Sequence, residues 1–258
     1  MAKKAMEYTE VISQKELSKD IFDLWIKTEE IAGQALPGQF LSVYLEDGGR
    51  LLPRPISICE INKEENAIRL VYRVTGKQAG TSALSKKEKG SNIKVLGPLG
   101  NGFLLLDKKA LLIGGGIGVP PMLELAKQLS NEKILVMGYR DSLFLTEEME
   151  QNGNVFIATE DGSAGTKGNV LDVIREKNIT ADVIYACGPT PMLRAVAEYA
   201  KEKGILCYLS MEERMACGIG ACLACVCQSK ETDHHSNVKN KRICKDGPVF
   251  LATEVELS

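Results

Sequence analysis

The spacing of apolar residues changes near residue 108 and divides the chain into parts. Before that point, short apolar runs with period-two alternation stand between glycines and prolines: FLSVYL (40–45), AIRLVYRV (67–74) and NIKVL (92–96). Such alternation is typical of strands with one buried face. Short strands separated by turn residues indicate an antiparallel barrel or sandwich. We therefore expect residues 1–107 to form an antiparallel β domain.

From residue 108 to residue 210, patterns of buried strands alternate with patterns of helices. The predicted strands are ALLIGG, KILVMGY, VFIAT and DVIYACG, and the predicted helices are PMLELAKQLSN, VLDVIREK and PMLRAVAEYAKEKG, the last ending at Gly204. Because strands that alternate with helices build parallel sheets covered on both faces, we expect an α/β domain here.

The remaining residues, 211–258, lack a long apolar period and contain five of the eight cysteines. We expect a small module that is held together by something other than a large core.

Composition narrows the class of protein. The 258 residues carry a formal charge of −2 and are 44% hydrophobic. This balance excludes a disordered chain and gives no basic patch for nucleic acid. The lysines of the opening MAKKAMEYTE are not followed by an apolar run, and the longest uncharged apolar stretch, ALLIGGGIGVPPML, is broken by glycines and prolines. We expect a cytoplasmic protein, with no nucleic-acid or membrane partner and with reduced thiols.

The C-terminal cysteines have the spacing of a metal centre. Cys217, Cys222 and Cys225 form a C-x4-C-x2-C motif, and Cys244 follows after 18 residues. This spacing is typical of plant-type 2Fe–2S sites. Gly218 and Gly220 allow a tight bend, in which backbone N–H groups can point at the sulfur ligands.

Alternative assignments of this centre remain open. Four thiolates can also bind a structural zinc ion, although zinc ribbons usually show two C-x2-C pairs. Cys227 can replace Cys225 or Cys244 as a ligand, but we expect it to be a non-ligand thiol. A Rieske-type mixed site would need histidines that are interleaved with the cysteines, whereas the two histidines of this chain are adjacent in a polar stretch. We therefore expect the adjacent His234 and His235 to lie on a solvated loop.

Two strand ends in the α/β part predict a nucleotide site. Gly116 and Gly118 lie in a glycine-rich turn between a strand and a helix, and Cys187, Gly188 and Pro189 follow a second strand. The carboxyl edge of an open parallel sheet is where such folds bind nucleotides. The alternative is that the glycines serve packing alone.

A further motif lies in the β part. The segment RPIS places a guanidinium and a hydroxyl on a stiff extended stretch, and the alternative is a proline-interrupted edge strand. Gly80 and Thr81 precede a predicted short helix and are candidates for holding an anion.

In this order, R-P-x-S, G-T, the glycine turn and C-G-P resemble the motifs of flavoprotein reductases of the ferredoxin reductase type. Within that group, ERMACGIGACLACVC followed by CKDGPVF resembles the electron transfer subunits of the NAD-dependent, type B dihydroorotate dehydrogenases. The resemblance covers essentially the whole chain. It implies an antiparallel β-barrel that binds FAD, a parallel-sheet domain that binds NAD and a C-terminal 2Fe–2S module.

The resemblance also implies roles for individual residues. Arg54 would hold the FAD pyrophosphate, and the flavin would be lined by Pro55, Ile56 and Ser57, with a facing strand of Val71, Tyr72 and Arg73. Gly80 and Thr81 would bind the phosphates of FAD. NAD would contact Gly116, Gly118, Cys187, Gly188 and Pro189, and the cluster would be held by Cys217, Cys222, Cys225 and Cys244.

For the whole protein, the resemblance implies a partner and a pathway. A separate FMN-containing catalytic subunit would oxidise dihydroorotate in pyrimidine biosynthesis, with two copies of each subunit. Its electrons would pass through the 2Fe–2S cluster to FAD and then as hydride to NAD. Asp141 beside Arg140 favours NAD over NADP. The alternatives are a subunit of a sulfide dehydrogenase or sulfhydrogenase and, in another class, a zinc-stapled interaction module without redox chemistry.

Overall fold

A computed structural model describes residues 3–45, 49, 51–232 and 237–257. The strands are β1 (Ala5–Ser18), β2 (Ile21–Lys27), β3 (Phe40–Tyr44), β4 (Arg54–Asn62), β5 (Ala67–Arg73), β6 (Asn92–Leu99), β7 (Ala110–Gly115), β8 (Lys133–Tyr139), β9 (Asn154–Thr159), β10 (Thr166–Lys167), β11 (Val183–Cys187), β12 (Leu206–Ser210), β13 (Val226–Gln228), β14 (Asn240–Arg242) and β15 (Val249–Leu251). The helices are α1 (Ile31–Gln34), α2 (Gly80–Leu84), α3 (Pro120–Gln128), α4 (Thr146–Glu150), α5 (Val170–Glu176), α6 (Thr190–Lys203) and α7 (Ile243–Asp246).

The first six strands close into an antiparallel barrel in the order β1-β2-β5-β4-β3-β6. Side chains alternate across the barrel wall: Leu41 and Val43 of β3 are fully buried in the barrel core, while Phe40 packs on the outside. The predicted antiparallel architecture is confirmed in its barrel form, with β3, β5 and β6 at the predicted positions. The apolar pattern did not predict β1, because most of its fourteen residues are exposed or half-buried.

The parallel sheet has the order β10-β9-β8-β7-β11-β12-β15, and β15 is antiparallel to its neighbour. Successive side chains of β7 point to opposite faces of the sheet. Leu112 packs with α3 on one face, and Leu111 and Ile113 pack with α5 and α6 on the other. The predicted sheet with helices on both faces is therefore confirmed.

Local signals explain where these helices begin and end. Prolines occupy the first turn of α3, where no backbone N–H is needed. Asn169 caps α5, and its amide oxygen and the Asp172 carboxylate form a reciprocal capping box. The helix α6 ends at Gly204, whose φ of +66° suits glycine. The helix α3 ends at Gln128, three residues before the end of its predicted segment.

The C-terminal part contacts both preceding units. The hairpin β13–β14 and the short helix α7 bring the chain back, and β15 pairs with β12 at the edge of the parallel sheet. Buried side chains of this part share an apolar cluster with the barrel residues Phe40 and Leu99. The domain limits at 107 and 210 remain predictions, and β15 lies beyond the second limit yet belongs to the sheet.

Buried charges join the barrel to the α/β unit. The Arg69 guanidinium donates from Nε and Nη2 to both Asp23 carboxylate oxygens at 2.8 and 2.9 Å, and to Glu60 and Glu148 at 3.3 Å. Burial disfavours the Arg69 charge, but these carboxylates outweigh it and raise the Arg69 pKa. Glu148 belongs to α4, so the network bridges the two units.

No helix in the described ranges is both long enough and apolar enough to cross a lipid bilayer.

Replacing Arg69 with alanine should destabilise the protein strongly. Asp23 is 2% exposed, and without Arg69 its nearest cation is Lys15 at 3.9 Å. Removing one partner of a buried pair leaves an uncompensated charge, so we expect a loss of about 3–5 kcal/mol in the free energy of unfolding in urea. The control is Lys3→Ala, which removes an exposed pair with Glu30 and should change stability by less than about 1 kcal/mol. Equal effects of the two substitutions would contradict the proposed importance of the network.

Candidate functional site

A cleft of about 620 Å³ lies between the barrel and the parallel sheet. Its volume is within the range of small-molecule and cofactor sites. It is lined by residues from the barrel, from the end of β11 and from the segment that precedes the cysteines: Leu52, Pro53, Arg54, Pro55, Thr75, Thr81, Gly188, Pro189, Thr190, Glu212, Glu213, Arg214 and Met215. The predicted flavin residues and the predicted nucleotide residues therefore share one cleft.

On the barrel side, Arg54 lies directly over Gly80. A Cβ atom at Gly80 would lie 2.1 Å from the Arg54 Nε, so only glycine lets the guanidinium occupy this place. The same guanidinium donates to the Leu52 carbonyl at 3.2 Å. Thr81 follows Gly80 in α2, and its hydroxyl accepts from the Thr75 N–H at 3.4 Å. The structure thus brings Arg54, Gly80 and Thr81 together. An anion-binding site at this place requires that they lie close to one another.

The other predicted flavin residues divide between the cleft and the cores. Pro55 lines the cleft, whereas the side chain of Ile56 is buried in the barrel core. Ser57 is half-buried opposite Phe40 in the β3–β4 ladder. These positions follow from the alternation of β4, because successive side chains of a strand point to opposite faces.

The facing strand β5 alternates in the same way. Val71 packs into the core that includes α3, and Tyr72 is buried in the barrel, where its hydroxyl donates to Gln14 Oε1 at 2.9 Å. Burial raises the Tyr72 pKa. The side chains of Val71 and Tyr72 are therefore buried in the cores, so only the backbone of these two residues can contact a ligand. Arg73 is exposed and reaches toward Gly116.

The nucleotide turn depends on a close approach of two strand ends. Gly116 has a φ of +54°, which favours glycine. A Cβ at Gly118 would lie 2.3 Å from the Cys187 carbonyl oxygen and 2.6 Å from the Gly188 nitrogen. The structure therefore places Gly116, Gly118, Cys187 and Gly188 together, as predicted for a site at the carboxyl edge of the sheet. Burial raises the pKa of the Cys187 thiol to about 12.

The four predicted cluster ligands fall into two pairs. Cys217 is the neighbour of Cys222, and Cys244 is the neighbour of Cys225. In the described ranges, no three His, Cys, Asp or Glu side chains are grouped as ligands of a single metal ion. Two pairs of thiols suit a centre with two irons, each of which needs two protein sulfurs.

Backbone N–H groups point at the cysteine sulfurs. The N–H of Ala221 donates to Cys217 Sγ at 3.3 Å, and the N–H of Cys244 donates to Cys225 Sγ at 3.4 Å. Gly218 and Gly220 have φ values of +67° and +86° and make the bend. Burial opposes ionisation of Cys217, but hydrogen bonds from Ile219, Ala221 and Cys222 lower its pKa to about 6. Burial and the neighbouring Cys225 raise the Cys244 pKa to about 12. The donor set and the loop therefore fit a 2Fe–2S cluster.

The long gap before Cys244 contains a hairpin. Strands β13 and β14 pair from Val226 with Arg242 to Gln228 with Asn240, and the Ile243 N–H donates to the Cys225 carbonyl at 2.9 Å. The hairpin thus returns Cys244 to Cys225. Cys227 lies on β13 and packs against the apolar cluster that contains these cysteines, and burial raises its pKa. His234 and His235 lie outside the described residues.

Sequence reasoning missed the residues that connect the end of β12 to the cysteines. Glu212, Glu213, Arg214 and Met215 line the cleft because they follow β12 at the carboxyl edge of the sheet. Their position after a strand was a signal that could have been used, but the strand itself was not predicted.

Comparison with known proteins agrees with this geometry. The family described as oxidoreductase FAD-binding domain matches residues 8–103, and the family described as iron-sulfur cluster binding domain of dihydroorotate dehydrogenase B matches residues 212–256. Among solved structures, a chain of the NADH-dependent reduced ferredoxin-NADP oxidoreductase superposes with a TM-score of 0.87 at 30% identity, covering 97% of this chain and 90% of that one. The ferredoxin reductase in carbazole 1,9a-dioxygenase shares the fold, with a TM-score of 0.65 at 19% identity over 78% of this chain and 67% of that one. Fold and site together define a flavin-dependent oxidoreductase with an added iron–sulfur domain.

Curated relatives specify the family. The dihydroorotate dehydrogenase B (NAD(+)) electron transfer subunit of Geobacillus sp. (strain WCH70) is 45% identical, over 97% of this chain and 98% of that protein. The subunit of the same name from Fusobacterium nucleatum is 43% identical, over 94% of this chain and 95% of that protein. The chain belongs to the family of dihydroorotate dehydrogenase B electron transfer subunits.

Substituting Gly118 with alanine should disturb nucleotide binding. The new Cβ would overlap the Cys187 and Gly188 backbone, so that backbone must move. We expect NADH affinity to fall by about tenfold or more, equivalent to about 1.4 kcal/mol, when FAD-loaded protein is titrated with NADH. In the control Gly33→Ala, the new Cβ has nothing within 4 Å, and affinity should not change. Unchanged NADH affinity in folded Gly118→Ala protein would contradict the assignment of this turn.

Proposed function

We propose that this chain passes electrons from a dihydroorotate-oxidising partner to NAD⁺ in pyrimidine (UMP) biosynthesis. One observation carries the proposal: residues of the barrel, of the nucleotide strand end and of the segment before the cysteines line a single cleft. A bound FAD can hold one or two electrons, and so it links the one-electron chemistry of an iron–sulfur cluster to the hydride chemistry of NAD. The role of the chain is to hold the three groups close together.

In this proposal, the flavin occupies the barrel side of the cleft. Arg54 offers a planar set of donors to the FAD pyrophosphate, and Gly80 and Thr81 offer backbone and hydroxyl donors. Pro55, Ile56 and Ser57 lie along the flavin, and Val71, Tyr72 and Arg73 supply the facing backbone. The close contact between Arg54 and Gly80 supports this assignment, because it holds the guanidinium in position for the pyrophosphate.

The nucleotide occupies the sheet side of the cleft. Gly116 and Gly118 allow the chain to approach the NAD phosphates, while Gly188 and Pro189 line the cleft toward the flavin. Cys187 stays protonated at neutral pH because burial raises its pKa to about 12. It therefore contributes a neutral thiol rather than a negative charge beside the nucleotide. We favour NAD as the nucleotide, as in the names of the relatives.

The four cysteines hold the cluster against the outside of the barrel. Cys225 and Cys244 share an apolar cluster with Phe40 and Leu99. Phe40 is the cross-strand neighbour of Ser57 in the flavin segment. The cluster ligands and the flavin segment therefore lie on neighbouring parts of the same outer face of the barrel.

The partner is expected to cover the exposed side of the cysteine segment. Cys222 is exposed, and the neighbouring Ile219 and Leu223 are 45% and 62% exposed. Exposed apolar side chains beside a redox centre suit a docking face for another protein. We propose an FMN-containing catalytic subunit as this partner, with two copies of each subunit, in the cytoplasm. We also retain the proposed division into residues 1–107, 108–210 and 211–258.

A second candidate is an electron-transfer subunit of another complex. The 30% identity to a chain of the reduced ferredoxin-NADP oxidoreductase favours it, because that chain has the same architecture. Affinity purification of the chain from its own cells decides between them. A co-purifying subunit that reduces NAD⁺ with dihydroorotate supports our proposal, and a sulfide dehydrogenase, a sulfhydrogenase or a ferredoxin-linked subunit contradicts it.

The purified chain alone should oxidise NADH but should not consume dihydroorotate. The cleft provides for FAD and NAD, whereas dihydroorotate oxidation is assigned to the partner. We expect NADH-dependent reduction of an artificial acceptor, and no change in dihydroorotate concentration until the catalytic subunit is added. Turnover of dihydroorotate by the isolated chain would show that the proposed division of labour is wrong.

Serine in place of any of the four paired cysteines should remove or alter the cluster. We expect Cys217→Ser, Cys222→Ser, Cys225→Ser and Cys244→Ser to lose the rhombic EPR signal of the reduced 2Fe–2S cluster and about two iron atoms per chain. The flavin should remain bound. The matched control is Cys227→Ser, which should keep both signal and iron. Loss of the cluster in Cys227→Ser alone, or zinc instead of iron in the wild type, would contradict the ligand set.

A further inference from the structure

Ser42 occupies an unusual position on the outside of the barrel. It lies on β3 between Leu41 and Val43, whose side chains fill the barrel core. By alternation, Ser42 faces outward, on the same side as Phe40, toward the cysteine segment. It is only 1% exposed, because that segment covers it. A hydroxyl therefore lies buried between the flavin-binding barrel and the cysteine loop.

The Ser42 hydroxyl has no hydrogen-bond partner among the described residues. Buried polar groups in folded proteins are almost always hydrogen-bonded, so such a group calls for an explanation. Neighbouring strands do not supply one at this position. Ser42 pairs across the sheet with Pro55, which has no N–H, and with Leu96.

The contact of Ser42 with the cysteine loop is very close. A Cβ at Gly218 would lie 2.8 Å from the Ser42 Oγ and 3.3 Å from Leu99. Gly218 also has a φ of +67°, in the region that favours glycine. It directly follows Cys217, so the hydroxyl meets the loop at its first bend, between two predicted ligands. Because Gly218 has no side chain, the Ser42 Oγ can approach the backbone of this loop.

The cysteine sulfurs of this loop can accept hydrogen bonds. Its backbone already directs N–H groups at sulfur, as the 3.3 Å contact of Ala221 with Cys217 shows. A serine hydroxyl is both donor and acceptor, so it can add an O–H donor to the same set. Hydrogen bonds to the sulfurs of an iron–sulfur cluster stabilise its reduced form and raise its reduction potential.

We propose that the Ser42 hydroxyl donates a hydrogen bond to a sulfur of the cluster held by Cys217, Cys222, Cys225 and Cys244 and thereby sets its reduction potential. The inference rests on the proposed function, because it needs the cluster. Ser42 acts as a positioning and tuning residue and is not itself a ligand. Its cross-strand neighbour Pro55 belongs to the flavin segment, so the bond lies on the side of the cluster that faces the flavin.

The test compares Ser42→Ala with the wild type as full-length protein, loaded with cluster and FAD. A redox titration followed by EPR should show that the ratio of reduced to oxidised cluster at a fixed potential falls by roughly tenfold, the size of one hydrogen bond to a charged group. After exchange into D₂O, pulsed EPR of the reduced cluster should show one deuteron coupling fewer in Ser42→Ala. The flavin potential should not change.

Thr9→Val is the matched control. Thr9 is also a buried hydroxyl without a described partner, and it lies on β1, where alternation with Val11 turns it toward the barrel interior. The cluster potential and the deuteron couplings of Thr9→Val should equal those of the wild type. A shift in Thr9→Val equal to that in Ser42→Ala would overturn the proposal, since any orphan hydroxyl would then have the same effect.

A second variant covers the case in which Ser42→Ala fails to retain the cluster. Ser42→Gly also removes the hydroxyl and adds no atom that could contact the loop or bind iron, so the cluster potential should lie below that of the wild type. Wild-type potential and couplings in whichever variant retains the cluster would overturn the inference while leaving the proposed function intact. A wild-type protein without any 2Fe–2S signal would instead refute the proposed function.

Discussion

The cysteine segment depends on its contact with the outside of the barrel. Its buried apolar side chains do not form a core of their own within the described residues. Cys225, Cys244, Ile243 and Phe250 instead share one apolar cluster with Phe40 and Leu99, and Asn101 ties the chain down by bonding the backbone of Val249 through both atoms of its amide. Because apolar burial is the main favourable term for so small a segment, this contact decides where the four thiols lie.

The same contact gives the fold its functional order. On its outer face, the barrel presents the flavin segment to the cleft and Phe40 to the cysteines. The parallel sheet closes the cleft with Gly188 and Pro189, and β15 returns the C-terminal part to the edge of that sheet. The buried Arg69 network then fixes the barrel against α4. The nucleotide, flavin and cluster sites thus lie in sequence. The nucleotide and flavin sites share the cleft, and the flavin and cluster sites share the barrel.

Local signals made part of this predictable from sequence. The C-x4-C-x2-C spacing, the glycine turn and the RPIS segment each lie within a few consecutive residues. Their glycines and prolines indicate the backbone conformation that each motif needs. The contacts between distant segments were not predictable. Nothing in the sequence indicates that Gly218 lies on Ser42, that a hairpin returns Cys244 to Cys225, or that Glu212 and Glu213 line the cleft. These depend on strand register and on packing between units, and β1 carried too few buried residues to produce a periodic pattern.

Anomalous diffraction at the iron edge from crystals of the FAD-loaded chain tests the central claim most directly. The account predicts two iron peaks, one beside Cys217 and Cys222 and one beside Cys225 and Cys244, lying against Phe40 and Leu99 with the flavin in the adjoining cleft. A single peak at the zinc edge, or iron located away from the barrel, would contradict it.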